Sequence, residues 1–326
     1  MNMQVKLPEK HPRVAVLTPV YNGATYLRET LESVQAQTYP NLVHIVIDNA
    51  STDQTADILA EFADREVPLH IVRHPQLLPQ MENWNTAISA IPPGTEWFRM
   101  LCADDTIKPT AIEKTVALGQ SDPEVGLVGC KRDINGAIHD PLWPKDQSIF
   151  DGQLALRRFF ENEGMIMGPH VLVRTRAIPA SLPFYDMVEN AADTDAALRV
   201  LTKWKMGFVR EHLAFTRVHD TTVTELEVSP LKLHLFDWYL FLHRYSKIAF
   251  GPAKGKAMMR RYRRHYLRRL MNLRRHDENG EKIWNAHALR LERLETKFRS
   301  GDYVSATVDK AMIRAGLRDD WFAYPW

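Results

Sequence analysis

The first hundred residues alternate short apolar runs with segments of helical spacing. Val14–Thr18 is a nearly continuous apolar run, which is typical of a strand buried in a parallel sheet, and Val43–Ile47 and Trp97–Leu101 have the same character. Between the first two runs, apolar residues recur at helical spacing over 27–34. This alternation predicts an α/β fold with a mostly parallel central sheet flanked by helices.

The pattern continues less regularly toward residue 225. Ser51 and Gln54 match a capping box, which predicts a helix from about Thr52. Scattered Gly and Pro residues predict loops over 131–165. A helix is predicted over 191–203 and a strand over 208–210.

After Pro230 the pattern becomes helical throughout. Within 253–275, five apolar residues fall on one helix face: Met259, Tyr262, Tyr266, Leu270 and Leu273. The chain is therefore predicted to consist of an α/β domain over about 1–225 and an α-helical C-terminal region over 226–326.

The net charge of +2 conceals an uneven distribution, because residues 251–326 carry 18 Lys/Arg against 9 Asp/Glu. One interpretation is peripheral attachment to an anionic membrane surface through these basic helices. The other is a solvated helix face whose apolar stripe is buried against the domain or a second subunit. No recognised motif supports nucleic-acid binding.

The cysteine content and the N-terminal sequence bear on location. The two cysteines, Cys102 and Cys130, have no metal-type spacing, which argues against a disulfide framework or a structural zinc site. The segment 1–13 lacks an apolar leader core, and 231–242 is too short and polar to span a bilayer. These features predict a cytoplasmic protein, with the inner face of the cell membrane as an alternative site.

Polar residues follow each of the three strand-like runs: 19–23, 48–53 and 102–105. In an open α/β sheet, ligands bind outside the carboxyl ends of the strands, so these clusters predict a binding site. Asp104 and Asp105 offer the carboxylate oxygens that Mg²⁺ and Mn²⁺ prefer. The alternative is that the two acids cap the next helix or face water.

Several motifs together resemble the family 2 glycosyltransferases of the GT-A fold. They are VAVLTPVYN at 14–22, IDNASTD at 47–53, LCADDTIKP at 101–109, ADTDAAL at 192–198 and Arg-Val-His at 217–219. The resemblance covers about residues 13–220. The chain departs from the family pattern at Cys102 and at Ala192, where the family usually has acidic residues.

The resemblance implies an inverting, metal-dependent glycosyltransferase. It would move a sugar from a nucleotide-diphosphate donor, UDP- or dTDP-linked, to a glycan or lipid-linked acceptor in cell-surface polysaccharide or lipopolysaccharide synthesis. The donor half would cover about 1–108 and the acceptor half 109–225. A homo-oligomer is left open. One alternative is a non-catalytic nucleotide-binding or scaffolding member. A sugar-phosphate nucleotidyltransferase is disfavoured, because 19–23 is not a Gly-rich basic loop.

The resemblance also assigns roles to individual residues. It implies donor contacts from Pro19, Tyr21, Asn22, Asp48, Asn83 and Asp104. It implies a divalent cation, Mn²⁺ or Mg²⁺, held by Asp104, Asp105 and His219. Inverting transfer needs a base for the acceptor hydroxyl, and Asp193 is the candidate, ahead of Asp195 and Glu189.

Each assignment has a structural alternative. Asp48 could form an Asx turn instead of binding the base, and Tyr21 could be a partly buried loop aromatic. Asp193 could cap its helix, as is expected for Asp53, and a lone histidine such as His219 is more often structural.

Overall fold

The computed structural model describes residues 11–141, 143–161, 170–180, 183–186, 190–220, 222 and 224–318. The chain divides into two compact units. The first comprises Met1–Val188 and Ala192–Val218, and the second comprises Glu189–Ala191 and His219–Trp326. The predicted domain limits of 1–225 and 226–326 remain predictions.

The first unit alternates strands and helices, as the apolar pattern predicts. Its strands are β1 Arg13–Val20, β2 Leu42–Asp48, β3 Leu69–Arg73, β4 Thr95–Met100, β5 Thr106–Ile107, β6 Val125–Ile134, β7 Ala137–His139, β8 Ile149–Phe150, β9 Leu172–Arg174 and β10 Lys205–Thr216. Its helices are α1 Leu27–Gln35, α2 Thr55–Ala60, α3 Gln80–Ser89, α4 Ala111–Gln120, α5 Gly152–Phe160 and α6 Ala192–Leu201.

These strands form one sheet in the order β3-β2-β1-β4-β9-β6-β10-β5. The half of the sheet from β3 to β4 is parallel throughout. The other half is mixed, because β9 runs antiparallel to both β4 and β6, whereas β6 and β10 are parallel. The predicted α/β class is confirmed. Since β2, β1 and β4 are neighbours, the loops at their carboxyl ends share one edge of the sheet.

The core of this unit is built from the apolar runs that predict the strands. Residues 14–17 of β1 are fully buried, and Trp97 of β4 is also fully buried. The Trp97 ring lies so close to α4 that a Cβ on Gly119 would come within 2.5 Å of it. Close packing at this point therefore requires a residue without a side chain.

Two elements of the first unit differ from the sequence predictions. The helix α5 lies within the predicted loop region, and its N-cap Asp151 accepts hydrogen bonds from the amides of Gln153 and Leu154. The strand β10 extends over twelve residues rather than the predicted three, because it pairs with β6 along most of its length.

The second unit is helical, as predicted, with α7 His234–His276, α8 Gly280–Arg293 and α9 Ser300–Arg314. A kink divides α7 at Gly251, where φ is 77°, directly before Pro252. Tyr262 and Tyr266 of the predicted stripe are fully buried, and the Tyr266 hydroxyl lies 2.6 Å from His287 Nδ1 of α8. None of the helices in the described residues is long and apolar enough to cross a membrane.

Candidate active site

The loops after β1 and β2 are fastened to each other by hydrogen bonds. The Asn22 carboxamide Oδ1 accepts from the Thr52 amide at 2.8 Å, and the Asn22 amide donates to Ser51 Oγ at 2.9 Å. Asn22 has a φ of 49°, a left-handed conformation that asparagine adopts more readily than most residues. Its side-chain oxygen therefore serves the loop structure, while its donor-binding role remains a prediction.

The Ser51 contact corrects the capping-box prediction. The helix α2 begins at Thr55, and its N-cap residue, Gln54, makes no side-chain capping hydrogen bond. Asp53 lies near the start of this helix and accepts from the amides of Ala24 and Thr55, both at 3.0 Å. Burial acts to raise the pKa of Asp53, but the bonds from Thr55 and Ala24 outweigh it and lower that pKa. Asp53 is thus engaged in holding the loop, in line with its predicted structural role.

Asp48 is buried at the end of β2, with 1% of its surface exposed. Its Oδ1 accepts from the Ser51 amide at 2.9 Å, which is the Asx-turn geometry considered as the alternative to base binding. Its Oδ2 lies 3.4 Å from Nη1 of Arg73, a half-exposed residue at the end of β3. Base recognition by Asp48 remains a prediction. Arg73, which the sequence did not single out, adds a positive charge beside it.

The other predicted donor residues differ in exposure. Tyr21 is 49% exposed, so its ring is available to a ligand, whereas Pro19 is buried within β1. Asn83 in α3 is 4% exposed, and its Oδ1 has no hydrogen-bond partner in the described part of the chain. The adjacent Trp84 packs edge-on against Tyr185, with ring centroids 5.1 Å apart, as expected of a core residue.

The loop after β4 gathers three potential metal ligands. One ligand atom from each of Cys102, Asp104 and Asp105 lies within 4.8 Å of the others. Burial, followed by the charges of Asp105, Asp104 and Asp193, raises the pKa of the Cys102 thiol well above its usual range. The cluster therefore offers two carboxyl groups and a thiol that stays protonated at neutral pH. The two carboxylates fit Mn²⁺ or Mg²⁺, which prefer oxygen ligands.

Asp105 is the most buried member of this cluster, at 3% exposure. Burial, and then the charge of Asp104, raises the pKa of Asp105 to about 7, although a hydrogen bond from the Arg217 amide opposes the shift. The carboxyl group is therefore partly protonated near neutral pH. A divalent cation would displace that proton when it binds.

A buried histidine, His170, lies close to Asp105. Its Nε2 is 3.6 Å from Asp105 Oδ2, beyond hydrogen-bonding distance, and 2.9 Å from Thr216 Oγ1. Burial, and then the charges of Arg132 and Arg99, holds the pKa of His170 well below its usual range. The imidazole is therefore neutral, so the two residues do not form an ion pair.

The candidate base Asp193 lies in the first turn of α6 and is half-buried. Its Oδ1 accepts from the Thr194 amide at 2.7 Å, and burial raises its pKa. Asp195, the first fallback, is fully buried and therefore unsuited to contact an acceptor. Glu189 lies outside the described residues. His219 belongs to the second unit, so its role as a metal ligand remains a prediction.

The sequence did not identify two further residues near Asp193. Burial, and then the charge of Asp193, raises the pKa of Tyr185 well above its usual range. The main chain of Tyr185 is held by the Asn85 carboxamide, which donates to its carbonyl at 2.8 Å and accepts from its amide at 3.0 Å. Arg132 of β6 is the other, since its positive charge acts to lower the pKa of Asp193. Neither residue belongs to a recognisable motif.

The chain belongs to glycosyltransferase family 2. The sequence model described as Glycosyl transferase family 2 matches residues 15–180, about half of the chain. An uncharacterized glycosyltransferase of Rickettsia typhi is 28% identical over 252 residues, covering 75% of this chain and 76% of that protein. A putative teichuronic acid biosynthesis glycosyltransferase, TuaG of Bacillus subtilis, is 39% identical over 61 residues, covering 19% and 24%.

Two solved structures have a similar fold. TarS 1–349 of S. aureus in complex with UDP-GlcNAc has a TM-score of 0.61 at 14% identity, covering 88% of this chain and 93% of that one. A mannosyltransferase of Pyrobaculum calidifontis in complex with GDP-Man and Mn²⁺ has a TM-score of 0.57 at 17% identity, covering 96% and 83%. The GT-A fold with a helical C-terminal region is therefore confirmed. Family and fold together make the protein a nucleotide-sugar glycosyltransferase.

Proposed function

We propose that this protein is an inverting, metal-dependent glycosyltransferase that uses a nucleotide-diphosphate sugar. The observation that supports it best is the surroundings of Cys102, whose thiol pKa is raised by burial and then by the charges of Asp105, Asp104 and Asp193. The carboxylate pair suited to a cation and the carboxylate suited to a general base therefore both lie near Cys102, which supports a single site for donor and acceptor. Metal-dependent transfer with inversion requires both.

The donor would bind at the edge of the sheet formed by the loops after β1 and β2. The exposed Tyr21 ring can pack against the base or ribose, and Asp48 would accept from an imide of uracil or thymine. We therefore favour a UDP- or dTDP-linked sugar. Arg73 is placed beside Asp48, where it can balance the carboxylate charge or contact the nucleotide.

Asp104 and Asp105 would hold the divalent cation. A bound divalent cation neutralises negative charge on the departing diphosphate. The protein keeps Asp105 in place through the Arg217 amide, which donates to Oδ1 at 2.9 Å.

Asp193 would deprotonate the acceptor hydroxyl. The hydroxyl oxygen would attack the anomeric carbon from the face opposite the diphosphate, which departs. The raised pKa of its carboxyl group brings it closer to neutral pH, where a general base is most effective. Unlike Asp195, Asp193 is only half-buried and therefore accessible to a substrate.

For the acceptor, we propose a glycan or lipid-linked glycan in cell-surface polysaccharide or lipopolysaccharide synthesis. Support comes from the similarity to TuaG, which is named for teichuronic acid biosynthesis. A cytoplasmic protein that contacts the inner face of the membrane through its basic C-terminal helices would suit such an acceptor, and this location remains a prediction.

Calorimetric titration of UDP, dTDP and GDP, with and without Mn²⁺, tests the donor and metal assignments together. We expect one diphosphate, UDP or dTDP, to bind tightly only when Mn²⁺ is present. Asp104→Ala should abolish the Mn²⁺-dependent binding of the diphosphate. The matched change Asp64→Ala, at an exposed carboxylate, should preserve that binding. If none of the diphosphates binds under either condition, the proposal is wrong, and a non-catalytic scaffold would be the better interpretation.

A further inference from the structure

Arg217 directly follows β10. It contacts both the loop after β4, called the metal loop here because it contains Asp104 and Asp105, and the first helix, α1. Its amide donates to Asp105 Oδ1 at 2.9 Å, and its Nε donates to the Asp104 carbonyl at 3.2 Å. On the other side, its Nη2 donates to Glu29 Oε2 of α1 at 2.6 Å. Arg217 thus joins the Asp104–Asp105 turn of the loop after β4 to α1, the helix that follows the loop after β1.

The guanidinium group is also stacked. It lies over the Tyr26 ring, 4.3 Å from the centroid, which is within the range of a cation–π contact. The side chain is 23% exposed. Its planar group therefore has fixed partners on two edges and one face, and a flexible lysine ammonium cannot reproduce that arrangement.

This environment indicates a role different from direct phosphate binding. A phosphate-binding arginine needs donors directed at the ligand, whereas Nε and Nη2 of Arg217 are directed at Asp104 and Glu29. The contacts instead fix the path of the Asp104–Asp105 turn. They leave Asp105 Oδ2 as the carboxylate oxygen that the Arg217 amide does not occupy.

We propose that Arg217 is a positioning residue, which holds the Asp104–Asp105 turn against α1 in the arrangement that binds the divalent cation. This inference rests on the proposed metal-dependent function. Groups that orient metal ligands typically contribute about 10- to 100-fold to metal affinity. Arg217 would act on the cation only indirectly, through the main-chain path of the turn that carries the two carboxylates.

The test is calorimetric titration of Mn²⁺ into protein saturated with the diphosphate that wild type binds, together with the nucleotide affinity measured without metal. We expect Arg217→Met to weaken Mn²⁺ binding about 10- to 100-fold, while metal-free nucleotide affinity changes less than about 3-fold. Arg217→Lys should behave like Arg217→Met, because it restores the charge without the planar contacts.

Glu29 supplies the matched control and a second route to the same result. Glu29→Gln keeps an oxygen that accepts from Nη2, so Mn²⁺ affinity should stay within about 3-fold of wild type. Glu29→Ala removes that partner at a residue whose side chain is 57% exposed, so the fold should be retained and Mn²⁺ binding should weaken. A thermal melt verifies folding of each variant.

The outcomes separate this inference from the proposed function. If wild type shows no Mn²⁺ effect, or Asp105→Asn retains it, the metal-dependent function is wrong and the role of Arg217 is wrong with it. If wild type and Asp105→Asn behave as expected but Arg217→Met and Glu29→Ala bind Mn²⁺ normally, only the inference about Arg217 is overturned. Equal loss of metal-free and Mn²⁺-dependent binding in these two variants also overturns it, because it indicates general disruption.

Discussion

The loops after β1 and β2 lie at the same edge of the sheet as the loop after β4, but they are stabilised differently. Asn22, Ser51 and Asp53 fasten the first two loops through hydrogen bonds to main-chain amides, several of them exposed. The loop after β4 instead contains Asp105, a buried carboxyl group whose pKa is raised to about 7. The comparison indicates that the hydrogen bonds of the loops after β1 and β2 favour the folded state, whereas the buried carboxyl group in the loop after β4 reduces its stability, as expected if that loop holds ligands for a cation.

The largest expected effect concerns Asp193, the candidate base for sugar transfer. Asp193→Asn should lower the rate of sugar transfer by about 10²-fold or more, because the amide cannot accept the acceptor proton. Donor binding should be retained, since Asp193 lies outside both loops. The measurement is turnover together with the affinity for the donor diphosphate. Near-normal turnover would place the base elsewhere.

The metal loop is tested by Asp105→Asn, which should abolish Mn²⁺-dependent nucleotide binding without weakening the fold at neutral pH. The asparagine Oδ1 can still accept from the Arg217 amide, and no buried carboxyl group remains to be ionised. The measurements are nucleotide calorimetry and urea unfolding of the metal-free proteins. Loss of cooperative unfolding would contradict the comparison.

The same variant isolates a pH dependence. Asp105 has a folded pKa of about 7, raised from an ordinary value of 3.8, so between these values the folded state keeps a proton that the unfolded state has lost. Stability from this group is therefore full below about pH 4 and is lost as the pH rises to about 7. Between pH 5 and pH 8, Asp105→Asn should gain on the order of 2–3 kcal/mol relative to wild type. If the free energies of unfolding of wild type and Asp105→Asn change in parallel with pH, ionisation of Asp105 does not destabilise the folded state.

The donor loops are tested by Asn22→Ala, which should lower the free energy of unfolding by about 1–3 kcal/mol. It removes the hydrogen bond from the Thr52 amide and places alanine at a φ of 49°. Asn22→Asp keeps the accepting oxygen and should stay close to wild type. Urea unfolding measures both variants, and an unaffected Asn22→Ala would show that these loops are not mutually fastened.

The smallest effect is expected at Tyr21, which is 49% exposed. Tyr21→Ala should weaken binding of the donor diphosphate by up to about 10-fold through loss of an aromatic contact. The free energy of unfolding should change by less than about 0.5 kcal/mol, as is usual for surface positions. Calorimetry and urea unfolding measure the two quantities. An unchanged affinity would remove Tyr21 from the donor site.

The sequence predicts the strands that lead into the site, because buried parallel strands are continuous apolar runs and their order fixes which loops share an edge. It does not predict that the three-residue strand β9 inserts antiparallel between β4 and β6, which places His170 close to Asp105. It does not predict α5 either, because scattered Gly and Pro residues around that helix favour loops. The capping-box pattern at Ser51 also gives a wrong prediction. The hydroxyl oxygen of Ser51 accepts from the Asn22 amide, far away in sequence, instead of capping a helix.

The site residues show the same limit. Asp104, Asp105 and Asp193 were named from motifs, and the structure brings their charges together around Cys102. Arg73, Arg132 and Tyr185 have no motif of their own. They reach the site through the pairing of β3 with β2, the pairing of β6 with β10, and the hydrogen bonds between Asn85 and the main chain of Tyr185. Such long-range contacts are not encoded in local spacing.

The central claim is that the loop after β4 holds a divalent cation against the donor diphosphate. The most direct test is a crystal structure with Mn²⁺ and the diphosphate that binds, with data collected at the manganese absorption edge. We predict an anomalous peak within coordination distance of the Asp104 and Asp105 carboxylates and of the diphosphate oxygens. A bound diphosphate with no manganese peak at these carboxylates would contradict the account.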